Sequence, residues 1–297
     1  MDYQQFVDVV KKKVSVGIGD HVTVTVCESI KNNSRKRIGV TIGDGKLHVS
    51  PTIYLEEYYT QYQRGKSPDD IASEIRKLYE KMEVTSFDSS LVDHYEGVRE
   101  RILYKVIHRE RNAELLENIP YLNFLDLAVV FYVMVAENAR GSVTMLIYNH
   151  HLERWQVDPH QMYEDSQKNT ERLLPPEFKT MNDAIVELLD IETKEHNEEY
   201  QQQEDHMYIL TNCSKSFGAA TILYSGLLEK VGKELKEDYY VLPSSIHEVI
   251  IIPESRSPEK ADLNEMVSDM NRTQVEPEEV LSDQVYYYNR KVKKLTL

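Results

Sequence analysis

Ten consecutive apolar residues, LAVVFYVMVA from Leu127 to Ala136, form the longest hydrophobic run in the chain. A membrane-spanning helix needs about 20, so this run belongs to a protein core. With SVTMLIY beyond the turn signal ENARG it reads as a pair of strands, because short runs rich in β-branched and aromatic residues and bounded by turn residues favour that state. Each hairpin must bury its apolar face, and the nearest cover is the helix that follows it. The expected fold class is α+β, with antiparallel or mixed β-sheets covered by helices in recurring ββα units.

The N-terminal block, residues 1–84, reads α-β-β-β-α-α. Tyr3, Phe6, Val9, Val10 and Val14 recur at helical spacing. HVTVTVCESI and IGVTIGDGKLHVS read as antiparallel strands, with Asp44-Gly45 as a tight turn. Ser50-Pro51 signals a helix through about Gln63, and Ser67-Pro68-Asp69-Asp70 repeats the signal for a helix through about Met82.

A second unit, an α+β domain over residues 87–297, opens with a helix near Leu91 to Glu100 and a strand at Ile102 to Ile107. A short helical stretch near Ala113 to Glu117 precedes the long strand pair. Asn149 caps one helix, and Asp158-Pro159 opens another that ends near Leu173. An acidic polar loop spans residues 190–205. Beyond it, HMYIL and FGAATILY read as strands, GLLEKVGKEL as a Ser225-capped helix, and DYYVL and HEVIIIP as a hairpin joined by Pro243-Ser244-Ser245. Leu263 to Met270 reads as a helix and QVYYYN as a last strand. Three segments, LHVSPTIYLEEY, TMLIYNHHLERW and TILYSGLLEKV, each pass from a strand through Ser or Asn to Leu-Glu, which is the recurring unit.

With 297 residues the chain can bury roughly 75% of its unfolded surface and needs no disulfide or metal to hold a core. Its two cysteines, Cys27 and Cys213, exclude a disulfide framework and a Cys-rich zinc site. The N-terminus MDYQQFVDVVKKK lacks the apolar core of a secretory signal, so a cytoplasmic location is expected. A formal charge of -15 opposes phosphate backbones and anionic membranes. Neither nucleic acid nor membrane is an expected partner, although Lys31 to Arg37 and Asn289 to Leu295 are locally basic; hairpin tip and solvated end are the simpler readings.

The segment LPSSIHEVIIIP places Ser244, Ser245, His247 and Glu248 within five positions, which suggests a serine nucleophile, a histidine base and a carboxylate. On a strand His247 and Glu248 point to opposite faces, so the three groups would not converge. A proline-started turn whose serines bond local backbone is the plainer account. Glu248 among isoleucines stays a site candidate, since a buried carboxylate must be paired or neutral. Asn212 and Gly218, in NCSKSFGAA, mark a loop where backbone could approach a ligand. His150, His151 and His160 lack chelating spacing, the acids from Glu187 to Asp205 with His196 lack a calcium-loop pattern, and GIGD and IGDGK lack a P-loop ending. No metal and no cofactor is expected. The 20 tyrosines against 6 phenylalanines, with Tyr54, Tyr58 and Tyr62 as a helical stripe, suit core edges or an interface.

The ordered segments DLAVVFYVM, HHLERWQVDPHQMYEDSQKNTERLLP, GAATILYSGLLEKV and DYYVLPSSIHEVIIIP resemble the YtpQ-like uncharacterised bacterial proteins and a related family of unknown function. Asn169 stands where those proteins carry a helix-borne asparagine. Pro-Ser-Ser-Ile-His-Glu replaces the Pro-Ser-Arg-Asp usual in YtpQ-like members, as in the second group. The resemblance implies a bacterial cytosolic protein and transfers no activity, cofactor or catalytic residue. Two functions remain expected: a non-enzymatic protein engaging a protein partner or small ligand, or a hydrolase-type enzyme centred on Ser244, Ser245, His247 and Glu248.

Overall fold

Asp2 caps the first helix, Tyr3–Val16, by accepting the backbone N–H of Gln5 at 2.8 Å, while the Gln5 side chain accepts the Asp2 N–H. This reciprocal pair fixes the register that turns Phe6, Val7, Val10 and Val14 inward. The chain is described here by a computed structural model over residues 1–18, 22–43, 52–83, 89–138, 141–188 and 206–297. The expected Asp44-Gly45 turn, the Ser50-Pro51 helix start, the middle of ENARG and the acidic 190–205 loop with His196 fall outside the described residues.

The N-terminal helix packs on a three-stranded antiparallel sheet in the order β1 (Thr23–Ile30), β2 (Lys36–Gly43), β3 (Thr52–Tyr54). Helices Glu56–Gln63 and Pro68–Glu83 close the layer. Ser67 Oγ accepts the Asp70 N–H at 3.1 Å, the start signal legible in Ser67-Pro68. Val40, Ile42, Leu55, Ile71 and Ile75 join the helix residues in one hydrophobic cluster. One expectation here is corrected: Thr52–Tyr54 is a strand and the helix starts only at Glu56. Gly39, Val40 and Thr41 of β2 offer an open edge that pairs with Tyr54, Ile53 and Thr52, and β-branched and aromatic side chains suit that ladder better than a helix. Tyr54 therefore leaves the helical tyrosine stripe.

In the second sheet, β6 (Leu127–Asn138) lies at the centre. It pairs antiparallel with β4 (Ile102–His108) along one edge, and with β5 (Tyr121–Phe124) and β7 (Gly141–Leu146) in succession along the other. The third sheet has six strands in the order β13 (Lys294–Thr296), β12 (Tyr286–Asn289), β10 (Tyr239–Leu242), β11 (Val249–Pro253), β9 (Tyr208–Asn212) and β8 (Pro176–Thr180). Helix Pro159–Leu173, capped by Asp158 Oδ1 accepting from His160 and Gln161, lies against β4. One cluster joins Tyr104, Val106, Phe131 and Val133 of the second sheet to Val241, Val249, Ile251 and Tyr286 of the third. The α+β class with antiparallel sheets covered by helices is thus the observed architecture.

Local departures have physical causes. FGAATILY is no strand: Gly218–Leu223 forms a buried 3-10 helix, because this stretch wedges between β9 and the loop before β11. The next helix, Leu227–Leu235, is preceded by Gly226 at φ +67°, and Ser225 instead donates its N–H to Glu171. The stretch 89–101 breaks into short 3-10 and α turns rather than one helix. Asn149 sits inside its helix, with Nδ2 donating to the Glu117 carbonyl.

Candidate functional site

Six residues join β10 to β11, and a distant segment fixes their path. Ile246 N–H donates to the Glu279 carbonyl at 2.8 Å, Leu281 N–H to the Ser244 carbonyl at 3.0 Å, and Ser282 N–H to the Pro243 carbonyl at 2.9 Å. Ser244 and Ser245 are buried beneath this pairing. Ser245 Oγ accepts the His247 N–H at 3.0 Å, a local turn bond. His247 and Glu248 precede the strand, which begins at Val249; the alternation expected of strand residues does not govern them.

Both nitrogens of the His247 ring have partners other than the serines. Its Nδ1 accepts the Phe217 N–H at 3.3 Å, its face stacks on Phe217 at 5.9 Å between centroids, and its Nε2 meets Glu279 Oε1 at 3.5 Å. With both nitrogens engaged, the imidazole has none left to take a proton from Ser245 Oγ. Glu248 is partly buried; that burial raises its carboxyl pKa above the ordinary range, opposed by His247 and the Ser245 hydroxyl.

Asn212 and Gly218 lie just beneath. Asn212 Oδ1 accepts the Ser214 and Ser216 N–H groups at 3.1 and 3.4 Å, while Nδ2 donates to the Ser216 carbonyl at 2.9 Å, so its side chain shapes the 212–216 loop. Gly218 permits a close approach: a Cβ there would stand 2.1 Å from Thr211 Oγ1 and 2.3 Å from the His247 carbonyl oxygen. Thr211 Oγ1 in turn donates to that carbonyl at 2.8 Å. Together these contacts hold Phe217, at φ 55°, against His247.

Phe217 leads to a residue that motif reading passed over. Lys105 Nζ stands 4.2 Å above the Phe217 ring. Its side chain projects between those of Leu103 and Ile107 from a sheet face also formed by Val130 and Tyr132. Among the described residues no carboxylate lies within ion-pair distance of it, and burial, then the charge of Lys31, lowers its pKa to about 8. The available signal was one lysine inside ILYKVIH, an otherwise apolar strand bar its terminal histidine.

The basic segment at Lys31 to Arg37 proves to be a latch. Asn33, at φ 57°, donates through Nδ2 to the Pro277 and Val280 carbonyls, each at 2.8 Å. Asn32 Nδ2 donates to the Glu278 carbonyl at 2.7 Å, and Arg37 Nε meets Glu278 Oε1 at 2.7 Å. Buried Asn112 accepts the Asn33 N–H and donates to both asparagine side chains. The basic C-terminal segment engages other partners: Lys293 pairs with Glu229 at 3.0 Å.

Eight described tyrosines are buried, Tyr104, Tyr239 and Tyr286 fully, most of the others are half-buried, and Tyr121 and Tyr148 are exposed. His150 and His151 form no chelate. His151 Nδ1 accepts the Tyr148 N–H and its ring stacks on Trp155; burial, then His150 and Arg154, lower its pKa to about 4. The described residues contain no group of three potential metal ligands, and both cysteines are free thiols. No helix among them is long and apolar enough to cross a membrane.

The profile of DUF5688, a family of unknown function, matches residues 3–290, and the chain belongs to that family. No curated protein and no solved structure is similar to it.

Proposed function

We propose that this DUF5688 member is a non-enzymatic binding protein whose ligand is a small molecule seated over Lys105, Phe217 and His247. The observation that carries the reading is Lys105, a partly buried cation on a sheet face that lies over an aromatic ring and has no carboxylate within ion-pair distance among the described residues. A desolvated charge without a counter-charge is costly, and such groups concentrate where ligands bind. Only two described tyrosines, Tyr121 and Tyr148, are exposed, which favours a small ligand over a protein partner. A cytoplasmic setting and kinship with the YtpQ-like bacterial proteins belong to the same reading, and neither lends it an activity.

The hydrolase reading keeps one supporting contact, His247 with Glu279 at 3.5 Å. Against it stand Ser244 and Ser245, buried and committed to the turn. Thermal-shift screening of the full chain against a panel of small metabolites, repeated on Phe217→Leu and His247→Asn, tests the proposal. Compounds that stabilise the parent and lose that effect in both variants support it. No stabilising compound, or ester hydrolysis that Ser245→Ala abolishes, overturns it.

A further inference from the structure

Two other polar clusters are complete in themselves. Asp126 accepts from Ser282 Oγ and Tyr286 OH, each at 2.5 Å, and pins β12 to the second sheet. Asp165 accepts from Tyr95 OH at 2.7 Å, Arg99 at 2.9 Å and Gln161 at 3.3 Å. Each of these carboxylates has its donors, so neither cluster calls for a ligand.

Lys105 stands in a different setting. Ile30 packs into the cluster of Ile107 and Val130 on the same sheet face, which brings the next residue, Lys31, toward Lys105. Lys31 Nζ lies 4.2 Å above the Tyr54 ring, so each of the two cations rests on an aromatic face. Like charges repel, and the two acids that bond Arg37 and His247 are already engaged, Glu278 by Arg37 and Glu279 by His247. In a chain of net charge -15, a pair of lysines without a carboxylate partner among the described residues is a local inversion of sign.

We infer that the row Tyr54, Lys31, Lys105, Phe217 receives an organic anion, its carboxylate or phosphate group at the two ammonium groups and its apolar body beside Phe217, whose ring already stacks on His247. This rests on the ligand-binding reading above and names its ligand class. An anion there supplies a counter-charge that the described residues do not, forming charge-assisted hydrogen bonds of the strong kind. Such a ligand also drives the Lys105 pKa upward from about 8, so binding near that pH takes up protons.

Calorimetric titration of the full chain with benzoate, phenyl phosphate, inorganic phosphate and neutral benzamide tests this, together with any compound that stabilises the protein in the thermal screen. The expected result is binding of benzoate, phenyl phosphate or both, identifying the head group. Benzamide should bind at least about tenfold more weakly, the loss expected for one charge-assisted bond. Lys105→Met and Lys31→Met should each weaken anion binding by about the same factor. Titration at pH 8 in two buffers of different ionisation enthalpy should show proton uptake by the parent and none by Lys105→Met. Circular dichroism of both variants checks folding, and Lys105→Met removes a buried charge. Benzamide binding as tightly as benzoate, or anion affinity untouched in both lysine variants, overturns the inference and leaves the ligand-binding reading standing. Silence of all four probes with only neutral compounds stabilising the chain does the same; no binding of any kind removes both.

Discussion

Replacing Gly218 with alanine probes the packing that seats Phe217. The added Cβ would meet Thr211 Oγ1 at 2.1 Å, the His247 carbonyl oxygen at 2.3 Å and the Asn212 backbone nitrogen at 2.9 Å. All three distances are too short for a real contact, and two of the atoms are backbone, so no rotamer change relieves them. Forcing β9 and the loop before β11 apart costs about 1–3 kcal/mol of overpacking. Loss of the buried bond from Thr211 to His247 adds about 1 kcal/mol. The sum, about 3 kcal/mol, corresponds to a Tm drop of about 6–12 °C at the scaling of a large domain. Urea unfolding followed by circular dichroism gives the free energy directly. Gly226→Ala is the matched control: its Cβ meets nothing within 4 Å, though φ is +67°, so only the left-handed backbone penalty of about 1–2 kcal/mol applies. A Gly218→Ala variant no less stable than Gly226→Ala would refute the close-approach argument. The same displacement should move Phe217 and weaken ligand-dependent stabilisation.

Other outcomes follow from the same geometry. Asn33→Ala removes two side-chain bonds to the 277–280 segment and places alanine at φ 57°, so a loss of about 2–3 kcal/mol is expected. Limited proteolysis should then cut near the 31–37 tip, which the parent protects. His151 is held neutral in the folded chain down to about pH 4, while the unfolded chain protonates near 6.5. Between those values the unfolded state binds more protons, so stability falls as pH is lowered through that window, and His151→Gln should flatten the decline in a pH series of melting curves. Lys105, with its folded pKa near 8, behaves similarly at higher pH: stability rises from about pH 8 towards 10.5. Lys105→Met should be the more stable protein at pH 7, with the advantage shrinking above pH 8.

Amino-acid pattern alone was enough to set the α+β class, the Asp158-Pro159 and Ser67-Pro68 helix starts, and the pairing of DYYVL with HEVIIIP, because caps, proline positions and β-branched runs act over a few residues. Local rules failed where a distant partner decided the outcome. Thr52–Tyr54 became a strand because β2 offered an open edge. Gly218–Leu223 became a 3-10 helix because the His247 carbonyl and Thr211 close over it. Sequence adjacency drew attention to Ser244, Ser245, His247 and Glu248, yet Ser244 and Ser245 are fastened by the segment 279–282, and the ring of His247 answers to Phe217 and Glu279. The row of Tyr54, Lys31, Lys105 and Phe217 spans more than half the chain and has no spacing for a motif to register. Charge and ring identity are written in the sequence; which cation lacks a counter-charge is a property of the packed surfaces around it, and only the tertiary structure determines that.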